Sequence, residues 1–376
     1  MTKHPSSIIH HPFPWLHRYA LLFAAATFIL VALGGNVTSR GAGLSVPDGF
    51  TVYGYFLWAF PVDRWVGNVW HEHVHRLKGS IVGLMAIGLC VWMLARYGRT
   101  FRGWLGVALL ALVIVQGVMG GLRVELVNWF GPLATPTAVA HAVLGQLFFV
   151  LTVVAVVVTG KWWAQRVEGP IDGGVEAHAL NAWASGRAWC FVLLGALVLQ
   201  LTLGAAMRHT GSGLAIPDFP ASYGRVVPPL SQQGIIAASD AMVPYDQAGA
   251  VGGYFTPLQV GLAFAHRLWA LGVLVAAAVA LRKLTPAARV DAILRAPMLI
   301  LIVLLAAQVV LGALTVWTGR VPDVATAHQA TGALTLASAG WLTLRAHLAR
   351  VPAMPVAVDD KLPAWGPLPA AKGVPA

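Results

Sequence analysis

Of the 376 residues, 58% are hydrophobic and only 10% are charged, which excludes an ordinary soluble domain, where about a quarter of residues carry charge. The net charge of +11 raises nucleic-acid binding, but the placement of the basic residues argues against it. In chain order, apolar runs long enough to cross a bilayer fall at about 16–36, 75–95, 103–122, 139–159, 187–207, 262–282, 297–317 and 326–348. Each must be a helix, because lipid offers no partner to an unpaired backbone amide.

Sixteen of the 25 basic residues fall on one side of this eight-span arrangement, among them Arg96, Arg99, Arg102, Lys161, Arg166, Arg187, Arg282, Lys283, Arg289 and Arg295. By the positive-inside rule that side is cytoplasmic, so both termini are expected inside. The first span is too long for a signal-peptide core and is expected to stay as an anchor. Cys90 and Cys190 lie within spans, where thiols are expected to pack rather than pair.

Landmarks recur in one order. Span one leads into Gly41-Ala42-Gly43-Leu44-Ser45-Val46-Pro47-Asp48, and span five into Gly211-Ser212-Gly213-Leu214-Ala215-Ile216-Pro217-Asp218, a shared G-x-G-L-x-x-P-D. His75-Arg76 matches His266-Arg267, Gln116 and Gly120 match Gln308 and Gly312, and Ala140-His141 with Gly145 matches Ala327-His328 with Gly332. Such an ordered series is an internal repeat. The expected fold is an all-α polytopic membrane protein of two duplicated four-helix bundles, related by an axis along the membrane normal. Residues 1–160 form the amino-terminal bundle, 161–186 a cytoplasmic linker, 187–350 the carboxy-terminal bundle and 351–376 a disordered tail rich in Pro and Ala. The long outer loops, about 37–72 and 208–261, are expected to cap the bundles.

His75, His141, His266 and His328 each stand where a polar loop gives way to an apolar run. An imidazole at a membrane-embedded helix end is costly without a partner. Within each half, the two histidines start parallel helices and lie at equal depth, so two neutral rings can ligate one haem iron axially. Gly79, Gly83, Gly117, Gly120, Gly145, Gly312 and Gly332 leave space for helices to approach or for a flat macrocycle. For any single histidine, a hydrogen bond to a loop carbonyl is an equally good reading; the symmetric set of four favours ligation. Arg76, Arg267 and Arg208, with Arg40, Arg123 and Arg320 on the same side, suit haem propionates. Snorkelling to lipid headgroups explains each arginine separately just as well.

The halves differ at one telling place. Glu72 precedes His75 by one helical turn, whereas Ala263 stands before His266. A carboxylate beside one histidine pair only suggests chemistry in the first half and a permanent cofactor in the second; a helix N-terminal carboxylate complementing the dipole is the plainer reading. His71-Glu72-His73-Val74-His75 also satisfies the zinc-peptidase pattern H-E-x-x-H. That reading leaves the second histidine pair and the repeat unexplained. His73 is expected to point off the face of His75, and His209 has no counterpart in the repeat.

On Glu72-His73-Val74-His75-Arg76, Arg208-His209-Thr210-Gly211-Ser212-Gly213-Leu214-Ala215-Ile216-Pro217-Asp218, Ala265-His266-Arg267, His141 and His328, residues 16–348 resemble the haem A synthase family of cytochrome oxidase assembly. The resemblance implies haem B as resident cofactor between His266 and His328. It implies haem O as the substrate between His75 and His141, with Glu72 as the catalytic carboxylate. The implied reaction oxidises a ring methyl of haem O to a formyl group by successive hydroxylations, water supplying the oxygen and electrons leaving through the second haem. The setting it implies is the bacterial cytoplasmic membrane. Candidate partners are the farnesyl-transferring haem O synthase, oxidase assembly factors and a second copy of the chain. A quinone-linked dihaem b-type electron-transfer protein is the alternative reading. The chain departs from the family pattern at Gly49 and Phe219 after the loop aspartates, and it lacks the outer-loop cysteine pairs of some members.

Overall fold

A computed structural model describes residues 14–166, 177–242, 253–290 and 294–348. The described residues are helical apart from loops and two isolated β-bridges. In chain order the helices are α1 (Pro14–Ser39), α2 (Gly67–Tyr97), α3 (Phe101–Phe130), α4 (Thr135–Thr159), α5 (Lys161–Arg166), α6 (Ala177–His209), α7 (Gln232–Asp240), α8 (Pro257–Val290), α9 (Arg295–Trp317) and α10 (Pro322–Leu348). Gly98 and Gly131 end α2 and α3 at φ 59° and 55°, each returning its N–H to a carbonyl of the last turn. Only glycine takes that backbone cheaply.

Eight long helices match the eight apolar runs, but α2, α6 and α8 start earlier than the runs and α3 ends later. Apolar windows miss polar turns such as Asn68–Glu72, which continue a helix beyond its lipid-facing part. Consequently the four histidines do not sit at helix starts: His75 and His266 lie about two turns in, His141 and His328 more than one. Among the described residues seven helices are long and apolar enough to cross a membrane; α10 is long enough but carries too many polar residues. The reason is packing. α10 touches α1, α4, α6 and α9, and a helix sheltered by neighbours favours small and polar residues over lipid-facing bulk.

Helices α1 to α4 close one bundle, and α6, α8, α9 and α10 form the other, in which α8 leans on α6 and scarcely touches α9. Gly106 lets α3 approach α2: a Cβ there would lie 3.1 Å from Cys90 Cα. The bundles join along α1 with α10 and along α4 with α6 and α10. Part of the expected linker is helical, since α5 and the start of α6 occupy it, and the expected tail lies outside the described residues. Cys90 and Cys190 are free and buried.

Each bundle has two unlike ends. Large buried side chains, among them Leu16, Phe23, Leu89, Met93 and Leu109 in one bundle and Leu193, Leu284, Leu294 and Leu301 in the other, fill the end nearest Pro14 and Leu348. The histidines stand at the opposite end, beneath residues 40–66 in one half and residues 210–242 and 253–256 in the other.

Candidate functional site

The loops are built alike. Asp48 Oδ2 accepts from Thr51 Oγ1 (2.8 Å) and Gly54 N–H (2.7 Å), and Asp218 accepts from the N–H groups of Tyr223 and Gly224 (2.7 Å each). Tyr53-Gly54 and Tyr223-Gly224 all have positive φ, as a tight reversed turn requires. Tyr53 and Tyr223 each donate a hydroxyl back along the loop, to the Ser45 and Ala215 carbonyls, both at 2.7 Å. The two aspartates thus hold turns. Those turn contacts and the Arg76 charge hold the Asp48 carboxyl below its ordinary range.

Arg76 donates through Nη1 to the carbonyls of Asp48 (2.8 Å), Gly49 (3.3 Å) and Thr51 (3.0 Å). Arg267 donates through Nη1 to the carbonyls of Asp218 (2.6 Å) and Ala221 (3.0 Å) and through Nη2 to that of Ile216 (2.8 Å). Both guanidiniums therefore carry the loops. Arg208 instead crosses between the bundles, donating to the Gly35 carbonyl (2.5 Å) and to Ser39 Oγ of α1. Arg40 pairs with Asp323 at 2.6 Å across the same seam.

Glu72 is 4% exposed and has three donors. Oε2 accepts from the N–H groups of Ser45 (2.8 Å) and Val46 (3.0 Å), and Oε1 from Arg76 Nη2 at 2.7 Å. The carboxylate is fixed to the loop on one side and leaves acceptor capacity on Oε1. In the second bundle Ala263 stands there, buried and apolar.

The four imidazoles repeat one geometry. His75 and His141 are electrostatic neighbours, as are His266 and His328. Each ring turns its Cε1 towards a glycine of an adjacent helix: an added Cβ would lie 3.0 Å from His75 at Gly34, 3.4 Å from His141 at Gly120, 3.0 Å from His266 at Gly204 and 3.3 Å from His328 at Gly312. Four residues before each glycine, the carbonyls of Leu30, Gln116, Gln200 and Gln308 lie beside the same rings. No bond of ordinary geometry closes at Nδ1 of His75, His141 or His328, which are buried without a partner. In the second bundle Gln200 Nε2 lies 3.2 Å from both ring nitrogens of His266; Leu30 occupies that place in the first.

Buried imidazole nitrogens without partners call for a ligand. In each half two buried imidazoles lie within electrostatic reach of one another and glycines of adjacent helices admit them, a lining whose chemistry fits a haem held by imidazole nitrogen. Zinc fits poorly: among the described residues no three His, Cys, Asp or Glu side chains gather as a metal site. His73 faces away from His75, buried between Phe60 (5.1 Å) and Trp65 (4.5 Å).

Three contributors were missed: Gly34, Gly204 and Glu125. Gly34 and Gly204 each precede the G-x-G-L motif by the same interval, so the repeat already marked them. Glu125, whose Oε1 accepts from Gly49 N–H (2.8 Å), is a second carboxylate peculiar to the first half, with Trp317 at its place in the repeat. Arg123 donates to the Gly43 carbonyl at 3.0 Å, and Arg320 lies over the matching Gly213. The pair escapes alignment because α3 runs on past Arg123 whereas Arg320 follows the end of α9.

Fold and site together define a multi-helix membrane protein with two matched pairs of buried histidines. The family model of the cytochrome oxidase assembly proteins matches residues 17–339. Similar chains named heme A synthase come from Hyphomonas neptunium (25% identical over 91% of this chain and 96% of the relative) and Caulobacter vibrioides (27% over 85% and 93%). Another is that of Methylorubrum populi, 29% identical over 70% of this chain and 68% of the relative. The chain belongs to this family of haem A synthases.

Proposed function

We propose that this oxidoreductase converts haem O to haem A at the first-half site, between His75 and His141, using haem B held between His266 and His328. The observation that carries the reading is the duplicated imidazole geometry joined to an unduplicated carboxylate. The net change at the substrate is oxidation of a ring methyl to a formyl group: two hydroxylations, each taking oxygen from water and releasing two electrons and two protons, give a geminal diol that loses one water to leave the formyl. Haem B supplies one-electron transfer when bound. His75 and His141 hold and orient the substrate iron from opposite faces, and the loop over them excludes bulk water. Glu72 Oε1, steadied by Arg76, orients a water and holds its proton. The eight long helices, α10 included, all cross the bacterial cytoplasmic membrane, with both termini inside. Haem O synthase and oxidase assembly factors are the partners this function calls for.

The test is pigment extraction from cells lacking their own haem A synthesis, with and without this chain. Chromatography resolving haems B, O and A should show haem A only with the chain. Stoichiometric haem B without haem A would favour the electron-transfer reading instead.

A further inference from the structure

We infer that the seam between α4 and α6 seats the isoprenoid chain of the substrate haem and so separates substrate from resident haem. The inference rests on haem O being the substrate of the first-half site. A groove of about 610 Å³ runs between the two helices, lined almost wholly by apolar atoms and within the size range of small-ligand sites. Val139, Val143 and Leu144 of α4 and Thr202, Ala206 and Thr210 of α6 form its walls. Both α6 threonines satisfy their hydroxyls on carbonyls of their own helix, Thr202 on Val198 (2.9 Å) and Thr210 on Ala206 (2.8 Å). The α4 wall begins at Thr135 and ends at Leu144, about 14 Å of helix and long enough for a chain of several isoprene units.

The groove borders the first histidine pair. Ala140, which also lines it, directly precedes His141, and Leu144 follows by one turn. On the α6 side His209, next to Thr210, lies within electrostatic reach of His141. The repeat supplies the comparison. By its offsets Pro136, Val139, Ala206 and Thr210 match Asp323, Thr326, Asn36 and Arg40 of the seam between α10 and α1, which borders His328. There the same positions are polar and joined. Arg40 pairs with Asp323 (2.6 Å) and donates to Asn36 Oδ1 (3.3 Å), and Thr326 Oγ1 lies 3.1 Å from Ser39 Oγ. Arg208 crosses the same seam to Gly35 and Ser39, and Gln329 fills the space at Gly35.

One seam is latched, and its counterpart is apolar and open. A resident haem without a long tail needs no outlet. A substrate haem carrying a farnesyl chain needs room for that chain outside the bundle core. Phe23, Leu89 and Leu109 fill the far end of the first bundle, so room is found sideways, between α4 and α6. Lipid alone accounts for an apolar wall but not for the latching of the matched seam.

The test titrates purified, haem-depleted protein with haem O and, separately, with haem B. The first-half signal is the part of the low-spin spectrum lost in His141→Ala. The parent should hold haem O there about tenfold or more tighter than haem B. Ala206→Phe, which puts a ring into the groove, should weaken haem O by about tenfold or more and leave haem B unchanged. Val143→Trp acts from the α4 wall and keeps the test alive if Ala206→Phe fails to fold. Val303→Phe, at a 59% exposed position of α9, should change neither. Equal affinity for the two haems in the parent, or equal loss of both in the groove variants, overturns the inference. So do groove variants that keep haem O but shed co-purified phospholipid, which would make the groove a lipid seat only. These three results leave the enzyme assignment standing, whereas a parent that binds neither haem overturns that assignment as well.

Discussion

Replacing Gly204 by alanine should loosen the second-half site without unfolding the bundle. The new methyl carbon would stand 3.0 Å from His266 Cε1 and 3.4 Å from its Nδ1. Carbon pairs prefer about 3.5–4.0 Å, so the ring must retreat by roughly half an ångström or α6 must part from α8. Overpacking of this kind costs about 1–3 kcal/mol, which corresponds to haem B retention weaker by roughly 5- to 150-fold if the ring yields. The assay is titration of haem-depleted protein with haem B, following the low-spin bis-imidazole spectrum. Gly34→Ala, which meets His75 Cε1 at the same 3.0 Å, should leave that spectrum alone and impair haem A formation. Gly117→Ala serves as control, since nothing lies within 4 Å of its added Cβ. Unchanged haem affinity and spectrum in Gly204→Ala would refute the claim that these glycines seat the imidazoles.

Glu72→Gln should keep haem B and lose haem A; pigment analysis checks it, and normal haem A production would remove Glu72 from the chemistry. Glu72→Ala should in addition free the Ser45 and Val46 amides, seen as faster proteolysis of the loop of residues 40–66. Tyr223→Phe removes a 2.7 Å hydrogen bond to the Ala215 carbonyl and should destabilise the second loop by about 1 kcal/mol, measured by thermal denaturation. Because the Asp48 carboxyl is held below its ordinary value, it contributes stability above the unfolded carboxylate range. That contribution falls away as pH drops through the folded value, and Asp48→Asn should abolish this part of the acid sensitivity in hydrogen exchange of the loop.

The sequence disclosed the repeat, the number of long helices and the pairing of His75 with His141 and of His266 with His328, because lipid enforces apolar length and duplication doubles every signal. Helix ends were less legible: Asn68–Glu72 and Arg123–Phe130 are polar or mixed turns that continue helices under the loops, where hydropathy no longer governs. The arginines also could not be read from position. Arg76 and Arg267 were set beside propionates on charge alone, yet their donors meet loop carbonyls, which only the folded loop brings near. Likewise the tethering of Glu72 depends on amides 26 and 27 residues away in sequence.

The modest apolarity of α10 bears on how the chain is made. A segment carrying Asp323, Gln329 and a scatter of threonines partitions poorly from the translocon by itself. Its neighbours α1, α4 and α6 offer the surface that receives it, so α10 closes the seam between the duplicated units. A chain cut before α10 would keep His75 and His141 but leave His266 without His328.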